Sequence, residues 1–407
     1  MRSTKFHIVN LGCKVNRVEA DTIQAALIGQ GAEPVAEEAA DLIIVNTCTV
    51  TAEADKKARK AVHHALTVNP VARVLVTGCA AAIDAETFAS MDHRVRVVVK
   101  SDIEREFSKG PHDVGLLRTG AGFNTRVGLK VQDGCDHECT YCIVHVARGK
   151  ARSMPIDDVA KEARAHFDAG VKEVVLAGID IGAYRYGSAR LPQLVTRLIE
   201  EANAACSAGC LPARIRISSI EPLNVDDEII DILADANGRV CRHLHIPLQS
   251  GSTKVLREMN RPYTADDFRA LVSKLRTRIP NIALSTDIIV GFPGETEEDF
   301  RATCELVREA AFMRLHVFPY SMRKGTPAAQ RADQIPPEVK RSRAALLREI
   351  GHELAERDLA GREGTNELCL VEGSTCLTES YHEIPAPTGS NPGDLVILSL
   401  CGRSGVT

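Results

Sequence analysis

Short apolar segments alternate with amphipathic segments through the first quarter of the chain. The apolar segments, which predict buried strands, are residues 6–11, 41–46, 73–77 and 94–99. Segments of helical period lie between them, at residues 19–30 and 52–66. Strands that alternate with helices are typical of an α/β domain with a mostly parallel sheet, which we expect over residues 1–106.

A second series of strand patterns occupies the middle of the chain, at residues 128–132, 173–177, 214–218, 244–247, 284–291 and 314–318. Helical patterns separate them, at residues 156–169, 191–204, 226–236, 266–278 and 297–311. These consecutive β/α units predict a parallel sheet curled into a partial (β/α)6 barrel over residues 127–362, which ends in a charged helix at 336–360. A full eight-stranded barrel is the alternative. Residues 107–126 show no sustained period and predict a linker.

The last segment, residues 363–407, has a different character. Short strand patterns at residues 367–372, 375–380 and 394–400 are separated by Gly and Pro turns. We expect a small β module that docks on the barrel, since so few strands are marginal alone. From residue 364 the segment has one basic residue against five acidic residues, a net charge of −4. A module with that charge should repel phosphates.

The composition is that of an ordinary globular protein, with 407 residues, 44% apolar and 26% charged. No apolar run reaches the length of about 18 residues that a membrane-spanning helix needs. We see no signal peptide at the start and therefore expect a cytoplasmic protein without a membrane partner. In a reducing compartment the 13 cysteines should pack in cores, bind metal or do chemistry.

The strongest chemical signal is a C-x3-C-x2-C loop, Cys135, Cys139 and Cys142, just after the first predicted barrel strand. Three thiolates on one loop can bind three corners of a cubane cluster and leave the fourth iron open. A zinc site completed by His137 or His145, and three unrelated core cysteines, are the alternatives.

Three more cysteines, Cys13, Cys48 and Cys79, each follow the end of a predicted strand of the first domain. The carboxyl ends of parallel strands meet at one edge of a sheet, where ligands bind. We therefore expect these three side chains to converge on one site. Three small buried hydrophobic residues are the alternative. The other seven cysteines are interpreted as structural.

Several motifs extend across the chain and resemble one family. They are 11–16 (LGCKVN), 45–51 (VNTCTVT), 77–79 (TGC), 147–149 (ARG), 218–222 (SSIEP), 245–251 (HIPLQSG) and 291–296 (GFPGET). The chain resembles the radical S-adenosylmethionine (SAM) methylthiotransferases. The segments 48–51 (CTVT), 243–251 (HLHIPLQSG) and 316–321 (HVFPYS) are most similar to the branch that acts on threonylcarbamoyladenosine in tRNA.

The resemblance implies an N-terminal α/β domain, a radical SAM partial barrel and a C-terminal β module called TRAM. It implies two [4Fe–4S] clusters, one at Cys135, Cys139 and Cys142 that binds SAM, and one at Cys13, Cys48 and Cys79. It also implies a tRNA substrate and an electron donor such as flavodoxin or ferredoxin. The radical derives from SAM, so we name no catalytic side chain.

Four residues at the ends of predicted barrel strands are candidate SAM contacts: Gly178, Ser218, Glu221 and Gln249. Tyr141, between two cluster ligands, is positioned to pack on the adenine of SAM, or else to pack on the barrel. Arg148 is the candidate partner of the substrate carboxylate, because arginine offers a bidentate contact. The alternative is that it braces the cluster loop.

The chain departs from the family at His145 and Val146, where a proline and an aromatic residue are usual. Because the end module is acidic, we expect RNA to contact basic residues elsewhere: Lys56, Lys57, Arg59 and Lys60, or Lys340, Arg341 and Arg343. The competing hypotheses are an enzyme that methylthiolates an aspartate of a ribosomal protein, and a non-catalytic iron–sulfur electron carrier.

Overall fold

The structure, a computed structural model, describes residues 4–99, 102, 107, 125–206 and 211–400. Most of the predicted linker lies outside the described residues. The domain boundaries at residues 106, 126 and 362 stay predictions.

The N-terminal region is a parallel sheet covered on both faces. Its strands are β1 (Lys5–Asn10), β2 (Glu33–Pro34), β3 (Leu42–Thr47), β4 (Arg73–Gly78) and β5 (Val95–Val97), in the order β2-β1-β3-β4-β5. Its helices are α1 (Lys14–Gly29), α2 (Ala52–Val68), α3 (Cys79–Ile83) and α4 (Ala85–Ala89). Side chains alternate across β3. Ile43 packs with Val62 of α2, and Ile44 packs with Ile23 of α1.

The central region contains the strands β6 (Val127–Lys130), β7 (Gln132–Asp133), β8 (Arg152–Ser153), β9 (Glu173–Ala177), β10 (Arg185–Tyr186), β11 (Ala189–Arg190), β12 (Arg214–Ile217), β13 (His243–His245), β14 (Ala283–Val290) and β15 (Arg314–Pro319). Two three-stranded parallel sheets, β12-β9-β6 and β13-β14-β15, are joined by parallel bridges, Ile215 to Val240 and Ser219 to His245. Together they form one curved row, β6-β9-β12-β13-β14-β15. The predicted partial barrel of six strands is confirmed.

Helices cover the outside of this barrel. They are α5 (Val144–Arg148), α6 (Ile156–Asp168), α7 (Leu191–Ala204), α8 (Asp227–Asp235), α9 (Thr253–Glu258), α10 (Ala265–Arg278), α11 (Glu297–Ala310) and α12 (Pro337–Gly361). The largest hydrophobic core lies between helices and strands. In that core Leu194 and Leu198 of α7 pack with Leu176 of β9, and Phe268 of α10 packs with Leu284 of β14.

The C-terminal module is an antiparallel sheet of β16 (Asn366–Val371), β17 (Thr375–Thr378), β18 (Glu383–Pro385) and β19 (Leu395–Ser399), in the order β18-β17-β16-β19. It docks on the barrel as predicted. Two buried arginines of β12 donate to its backbone. Arg214 contacts the carbonyls of Leu368 and Leu377, and Arg216 donates to the carbonyls of Thr378 and Glu379.

Helix α1 begins at Lys14, five residues before the helical pattern in the sequence. The reason is that the apolar side chains at its start do not pack on its own sheet. Val15 and Val18 instead contact Ala177 and Ile179 of the barrel, and Val18 lies against Gly128 of β6. The first turn of α1 is thus part of the contact between the N-terminal sheet and the barrel.

Candidate functional site

The three N-terminal cysteines lie at one edge of the N-terminal sheet, where the sequence places them. Cys13 caps the amino end of α1, Cys48 follows β3 directly, and Cys79 is the first residue of α3. Cys13 is exposed, Cys48 half-buried and Cys79 buried. Burial raises the pKa of the Cys48 thiol, and the proximity of Cys13 and Cys79 raises it further. Three cysteine side chains brought together at one sheet edge form a donor set that suits an iron–sulfur cluster.

Asn16 connects this triad to the sheet. Its side-chain oxygen accepts from Cys13 Sγ at 3.4 Å, and its amide nitrogen donates to Asn46 Oδ1 and to the Thr47 carbonyl, both at 2.9 Å. Asn46 in turn donates to the Asn16 carbonyl at 2.8 Å. The hydrogen bonds that the buried Asn16 amide forms with Asn46 and Thr47 fix the start of α1 relative to β3.

The second triad lies on the loop between β7 and α5, and each of its sulfurs receives an N–H donor. The backbone N–H of His137 donates to Cys135 Sγ and that of Val144 to Cys142 Sγ, both at 3.4 Å. Arg261 Nη1 donates to Cys139 Sγ at 3.3 Å. Burial raises the pKa of the Cys135 thiol to about 12 and also raises the pKa values of Cys139 and Cys142. Sulfurs that each accept an N–H hydrogen bond suit thiolates that ligate an iron–sulfur cluster.

Two glycines with positive φ precede cluster-candidate cysteines. Gly78 has φ +96°, and a Cβ there would lie 2.3 Å from the Thr47 carbonyl oxygen. Gly134 has φ +74°, and its Cβ would lie 2.0 Å from the Lys150 carbonyl oxygen. Any side chain at either position would displace backbone, so both turns require glycine. These turns direct Cys79 and Cys135 away from their strands.

The two triads face each other across the contact between the N-terminal sheet and the barrel. Helix α3, which begins with Cys79, packs against α5, which follows Cys142. Arg148, at the end of α5, joins them. Its Nη1 donates to Asp133 at 2.8 Å and to Glu19 at 3.1 Å, and its Nη2 donates to Asn16 at 2.8 Å. Burial lowers the pKa of Arg148, but nearby Cys79 and these carboxylates raise it overall.

The contacts of Arg148 favour the bracing role over the predicted contact with substrate. Its side chain is fully buried, and its terminal nitrogens are taken by Glu19, Asp133 and Asn16. These bracing contacts are to side-chain oxygens, two carboxylates and one amide. Direct contact with a substrate carboxylate stays an untested prediction.

Arg261 organises the environment of Cys139. It follows α9, its Nη2 contacts Glu221, and its Nε donates to Tyr263 Oη at 3.1 Å. Burial raises the pKa of Glu221, while the charge of Arg261 opposes this. Tyr141 lies in the same electrostatic cluster and packs on a small core with Val255, Met259 and Phe292. Sequence reasoning missed Arg261, because nothing local connects it with a cysteine 122 positions away.

The end of β9 forms another wall of the site. Gly178 packs closely on Gln132, and a Cβ on Gly178 would lie 3.1 Å from that side chain. Gln132 Oε1 accepts the backbone N–H groups of Ile179 and Asp180, at 3.0 and 2.9 Å. Asp180 Oδ2 lies 3.2 Å from His137 Nε2, and this hydrogen bond raises the pKa of His137. The His137–Asp180 pair also escaped sequence reasoning.

Ser218 and Gln249 lie just beyond β12 and β13, at the same end of the barrel. Ser218 is buried. Gln249 has φ +65°, and its backbone pairs with β14 through the Asp287 carbonyl and the Ile289 N–H. A left-handed glutamine is uncommon and is found where surrounding structure enforces it. The described contacts of Ser218 and Gln249 do not connect them to the cysteine loop. The predicted SAM contacts of all five residues remain predictions.

The two predicted basic runs differ. Lys56, Lys57 and Lys60 of α2 are exposed and form no ion pair with any described residue. In the second run, Arg343 is buried against Glu295 at 2.6 Å, and Lys340 donates to the Tyr320 carbonyl. The second run therefore serves mostly to dock α12.

Among the cysteines interpreted as structural, Cys241, Cys304, Cys369 and Cys376 are buried and Cys206 is half-buried. Cys210 and Cys401 lie outside the described residues. His145 is half-buried, and its Nδ1 lacks a partner in the described part of the chain.

Two family models match the chain in series. The model described as the radical SAM superfamily matches residues 129–307, which include the Cys135 loop and β9 to β14. The model described as uncharacterized protein family UPF0004 matches residues 5–100, which include Cys13, Cys48 and Cys79.

Full-length relatives carry both segments. The threonylcarbamoyladenosine tRNA methylthiotransferase MtaB of Bacillus subtilis (strain 168) is 38% identical over 403 residues, which cover 94% of this chain and 87% of that protein. The chain belongs to the radical SAM methylthiotransferase family. A second family member, MtaB of Aquifex aeolicus (strain VF5), is 31% identical and covers 96% of this chain and 99% of its own length. The tRNA-2-methylthio-N(6)-dimethylallyladenosine synthase of Geobacillus thermodenitrificans (strain NG80-2) is 33% identical, over 92% of this chain and 75% of that protein.

Solved structures agree with the fold. The radical S-adenosylmethionine methyltransferase TsrM from Kitasatospora setae has a TM-score of 0.55 at 15% identity, over 81% of this chain and 77% of that chain. The cobalamin-dependent radical enzyme OxsB has a TM-score of 0.52 at 12% identity, over 87% and 56%. This likeness concerns the fold alone. In the part of the chain that the structure describes, every helix is too short or too polar to cross a membrane.

Proposed function

We propose that this protein is a tRNA methylthiotransferase that converts N6-threonylcarbamoyladenosine at position 37 of tRNA into its 2-methylthio derivative. The observation that carries the proposal is the convergence of two cysteine triads on one interface, with α3 packed on α5. Two such sites suit a reaction that needs both a radical initiator and a sulfur source. An electron carrier needs no six-stranded barrel beside its cluster.

The residues present suit two iron–sulfur clusters and SAM. Cys135, Cys139 and Cys142 would hold a [4Fe–4S] cluster that binds SAM, and Cys13, Cys48 and Cys79 would hold a second cluster. When bound, these groups supply an organic radical that activates an aromatic C–H bond and the sulfur that replaces its hydrogen. The chain supplies a charged hydrogen-bond donor for the first cluster through Arg261, which donates to Cys139.

The remaining site residues would hold SAM and orient the loop. Tyr141, Gly178, Ser218, Glu221 and Gln249 are the proposed SAM contacts. Glu221 is fixed by Arg261, so its carboxylate is held at the cluster loop. Asp180, fixed by Gln132, holds His137 between two proposed ligands. The Arg261–Glu221 and Asp180–His137 contacts position these side chains and need not transfer protons.

The tRNA backbone is proposed to lie along α2. Its amino end is two turn residues beyond Thr49, close to Cys48, and Arg323 ties this end to the barrel through Asp55 and Thr49. The exposed cations Lys56, Lys57 and Lys60 then project from a helix beside the open site. Exposed lysines without partners can neutralise phosphates on binding. We further propose that the protein acts in the cytoplasm with a flavodoxin- or ferredoxin-type electron donor.

The test is an assay with the reconstituted full-length protein, SAM, a reductant and tRNA that carries threonylcarbamoyladenosine. Mass spectrometry of the digested nucleosides should show the 2-methylthio derivative together with 5′-deoxyadenosine. A ribosomal-protein substrate in the same assay should remain unmodified. Modification of the protein instead of the tRNA, or no release of 5′-deoxyadenosine, would contradict the proposal.

A further inference from the structure

The C-terminal module inserts an aromatic side chain into the barrel lumen. Tyr381, in the turn after β17, stacks on His243 with ring centroids 4.7 Å apart. Its backbone has φ +74°. A bulky residue in this left-handed region is strained, so surrounding contacts must hold it there. The turn is closed by hydrogen bonds between Thr378 and His382.

Four cations surround the Tyr381 ring. Arg216 Cζ lies 4.8 Å, Arg314 Cζ 5.3 Å and Lys14 Nζ 5.8 Å from the ring centroid. Arg126 approaches the hydroxyl group. Burial alone would raise the pKa of Tyr381, but the charges of Lys14 and Arg126 lower it. The phenol group therefore lies in a strongly positive environment.

Two of these cations already have carboxylate partners. Arg126 pairs with Glu372 at 2.7 Å, and Arg216 pairs with Glu173 at 2.7 Å. Lys14 and Arg314 have neither a hydrogen bond nor an ion pair within the described ranges. Lys14 is exposed and Arg314 half-buried, so a ligand can reach both.

One further carboxylate faces the lumen. Asp287 lies 3.1 Å from His316 Nδ1 and 3.3 Å from His245 Nε2. The carboxylate oxygen Oδ1 of Asp287 is therefore already in contact with both imidazole rings. Lys14 and Arg314 thus have no carboxylate partner of their own among the described residues, and an anion that reaches them gains charge-assisted hydrogen bonds.

The position of Lys14 and Arg314 indicates which anion they would bind. Lys14 directly follows Cys13, so the cations lie beside the N-terminal triad, which Arg148 connects to the Cys135 loop through Asn16 and Asp133. In threonylcarbamoyladenosine the carboxylate is attached to the reacting adenine by a short tether. It must therefore lie in the same cavity as the reacting carbon. Arg148, whose donors are already occupied, is less suited to receive it.

We propose that Lys14 and Arg314, together with the Tyr381 hydroxyl, bind the carboxylate of the threonylcarbamoyl group and so select this substrate. The inference rests on the proposed function and deepens it. Under it, the C-terminal module contributes Tyr381 to substrate specificity. An RNA phosphate or the SAM carboxylate could offer the same chemistry, and the experiment separates these sources.

The test compares three short RNA stem-loops that differ only at N6 of the target adenine. One carries the threonylcarbamoyl group, one its neutral methylamide, and one an unmodified amino group. Binding to the reconstituted protein is measured without reductant by fluorescence anisotropy, and kcat/KM is then measured with reductant. We expect the wild type to prefer the carboxylate over the methylamide by about ten- to a hundredfold.

The variant Arg314→Met should reduce this preference to less than about threefold, with little effect on the methylamide RNA. Tyr381→Phe should reduce it in part, and Arg314→Lys should restore much of it because the charge returns. The control is Arg301→Met, which removes an exposed arginine from the outer surface of α11. Iron content and melting temperature are measured on each preparation to identify a variant that fails to fold. If Arg314→Met fails to fold, the preference for the carboxylate RNA measured in Tyr381→Phe and Arg314→Lys decides the test.

Three results would overturn the inference. In the first, the preference for the carboxylate RNA survives in Arg314→Met. In the second, the affinities for all three RNAs fall by the same factor, which indicates a phosphate contact. In the third, the affinity for SAM falls instead. A failure of the proposed function looks different. In that case the wild type methylthiolates none of the RNAs, whatever their order of affinity.

Discussion

The substitution Glu173→Gln tests how the C-terminal module is held on the barrel. Glu173 is fully buried between two arginines. Arg214 Nε donates to it at 2.6 Å and Arg216 Nε at 2.7 Å, and the other nitrogens of both arginines donate to backbone carbonyls of the module. One carboxylate therefore fixes two guanidinium groups, and these in turn fix β16 and β17.

The magnitude follows from the charges. Burial by itself would raise the pKa of Glu173, but Arg216 and Arg214 outweigh it and lower the pKa from 4.5 to about 2. A lowering of this size corresponds to stability on the order of 3 kcal/mol. Since the folded pKa lies below the unfolded value, this stability is present above about pH 4.5 and is lost as the pH falls towards 2. Removing one partner of a buried ion pair costs a similar amount, about 3–5 kcal/mol.

The assay is urea unfolding followed by circular dichroism at neutral pH, combined with limited proteolysis. We expect Glu173→Gln to lower the free energy of unfolding by about 3 kcal/mol and to expose the chain near residue 364 to protease. The gap to the wild type should narrow as the pH falls below about 4.5. Glu383→Gln, at an exposed glutamate of the same module, is the control and should change little. A Glu173→Gln protein with wild-type stability and protease resistance would refute the reasoning.

Further predictions concern the cysteine sites. Cys135→Ala should remove about four of about eight irons and abolish SAM cleavage. Cys48→Ala should remove the other four irons and leave release of 5′-deoxyadenosine intact. Equal loss of SAM cleavage in both folded proteins would contradict separate roles for the two clusters. Arg148→Met should lower the melting temperature, iron content and SAM cleavage together, because it breaks the contacts between α1 and the Cys135 loop. Unchanged values in all three assays would contradict the bracing role of Arg148. Arg261→Gln should lower the reduction potential of the cluster by up to about 60–130 mV in an anaerobic titration followed by electron paramagnetic resonance, because a charged donor favours the more negative reduced state. Arg261→Lys should retain much of that potential, and an unchanged potential in Arg261→Gln would argue against the bond to Cys139.

Local patterns predicted the strands and helices well, because most of them pack on neighbours in the same layer. The placement of Cys13, Cys48 and Cys79 at one sheet edge followed from strand ends alone. The first turn of α1 could not be predicted, because Val15 and Val18 pack on the barrel rather than on their own sheet. Short elements such as α9 and β18 are too brief to show a period.

The groups that support the site were harder to find in the sequence. Arg261 reaches Cys139 across 122 positions, and Arg148 reaches Asn16 across 132. Such contacts depend on how separate layers meet, and no spacing rule encodes them. The same is true of Tyr381, which enters the lumen from the last module. Sequence reasoning identified the candidate cysteine ligands but not the charges around them.

The acidic character of the C-terminal module illustrates why a charge count needs the structure. Three of its five acidic residues face arginines outside the module's strands. Glu379 pairs with Arg242 at 2.9 Å, Glu367 with Arg362 at 3.0 Å, and Glu372 with Arg126 at 2.7 Å. These carboxylates neutralise cations at the docking surface, so they do not form a negative face towards RNA. The net charge of −4 therefore describes how the module is attached rather than what it repels. One of these pairs, Glu372–Arg126, holds Arg126 beside the Tyr381 hydroxyl, so attachment of the module and the proposed substrate selection share a contact.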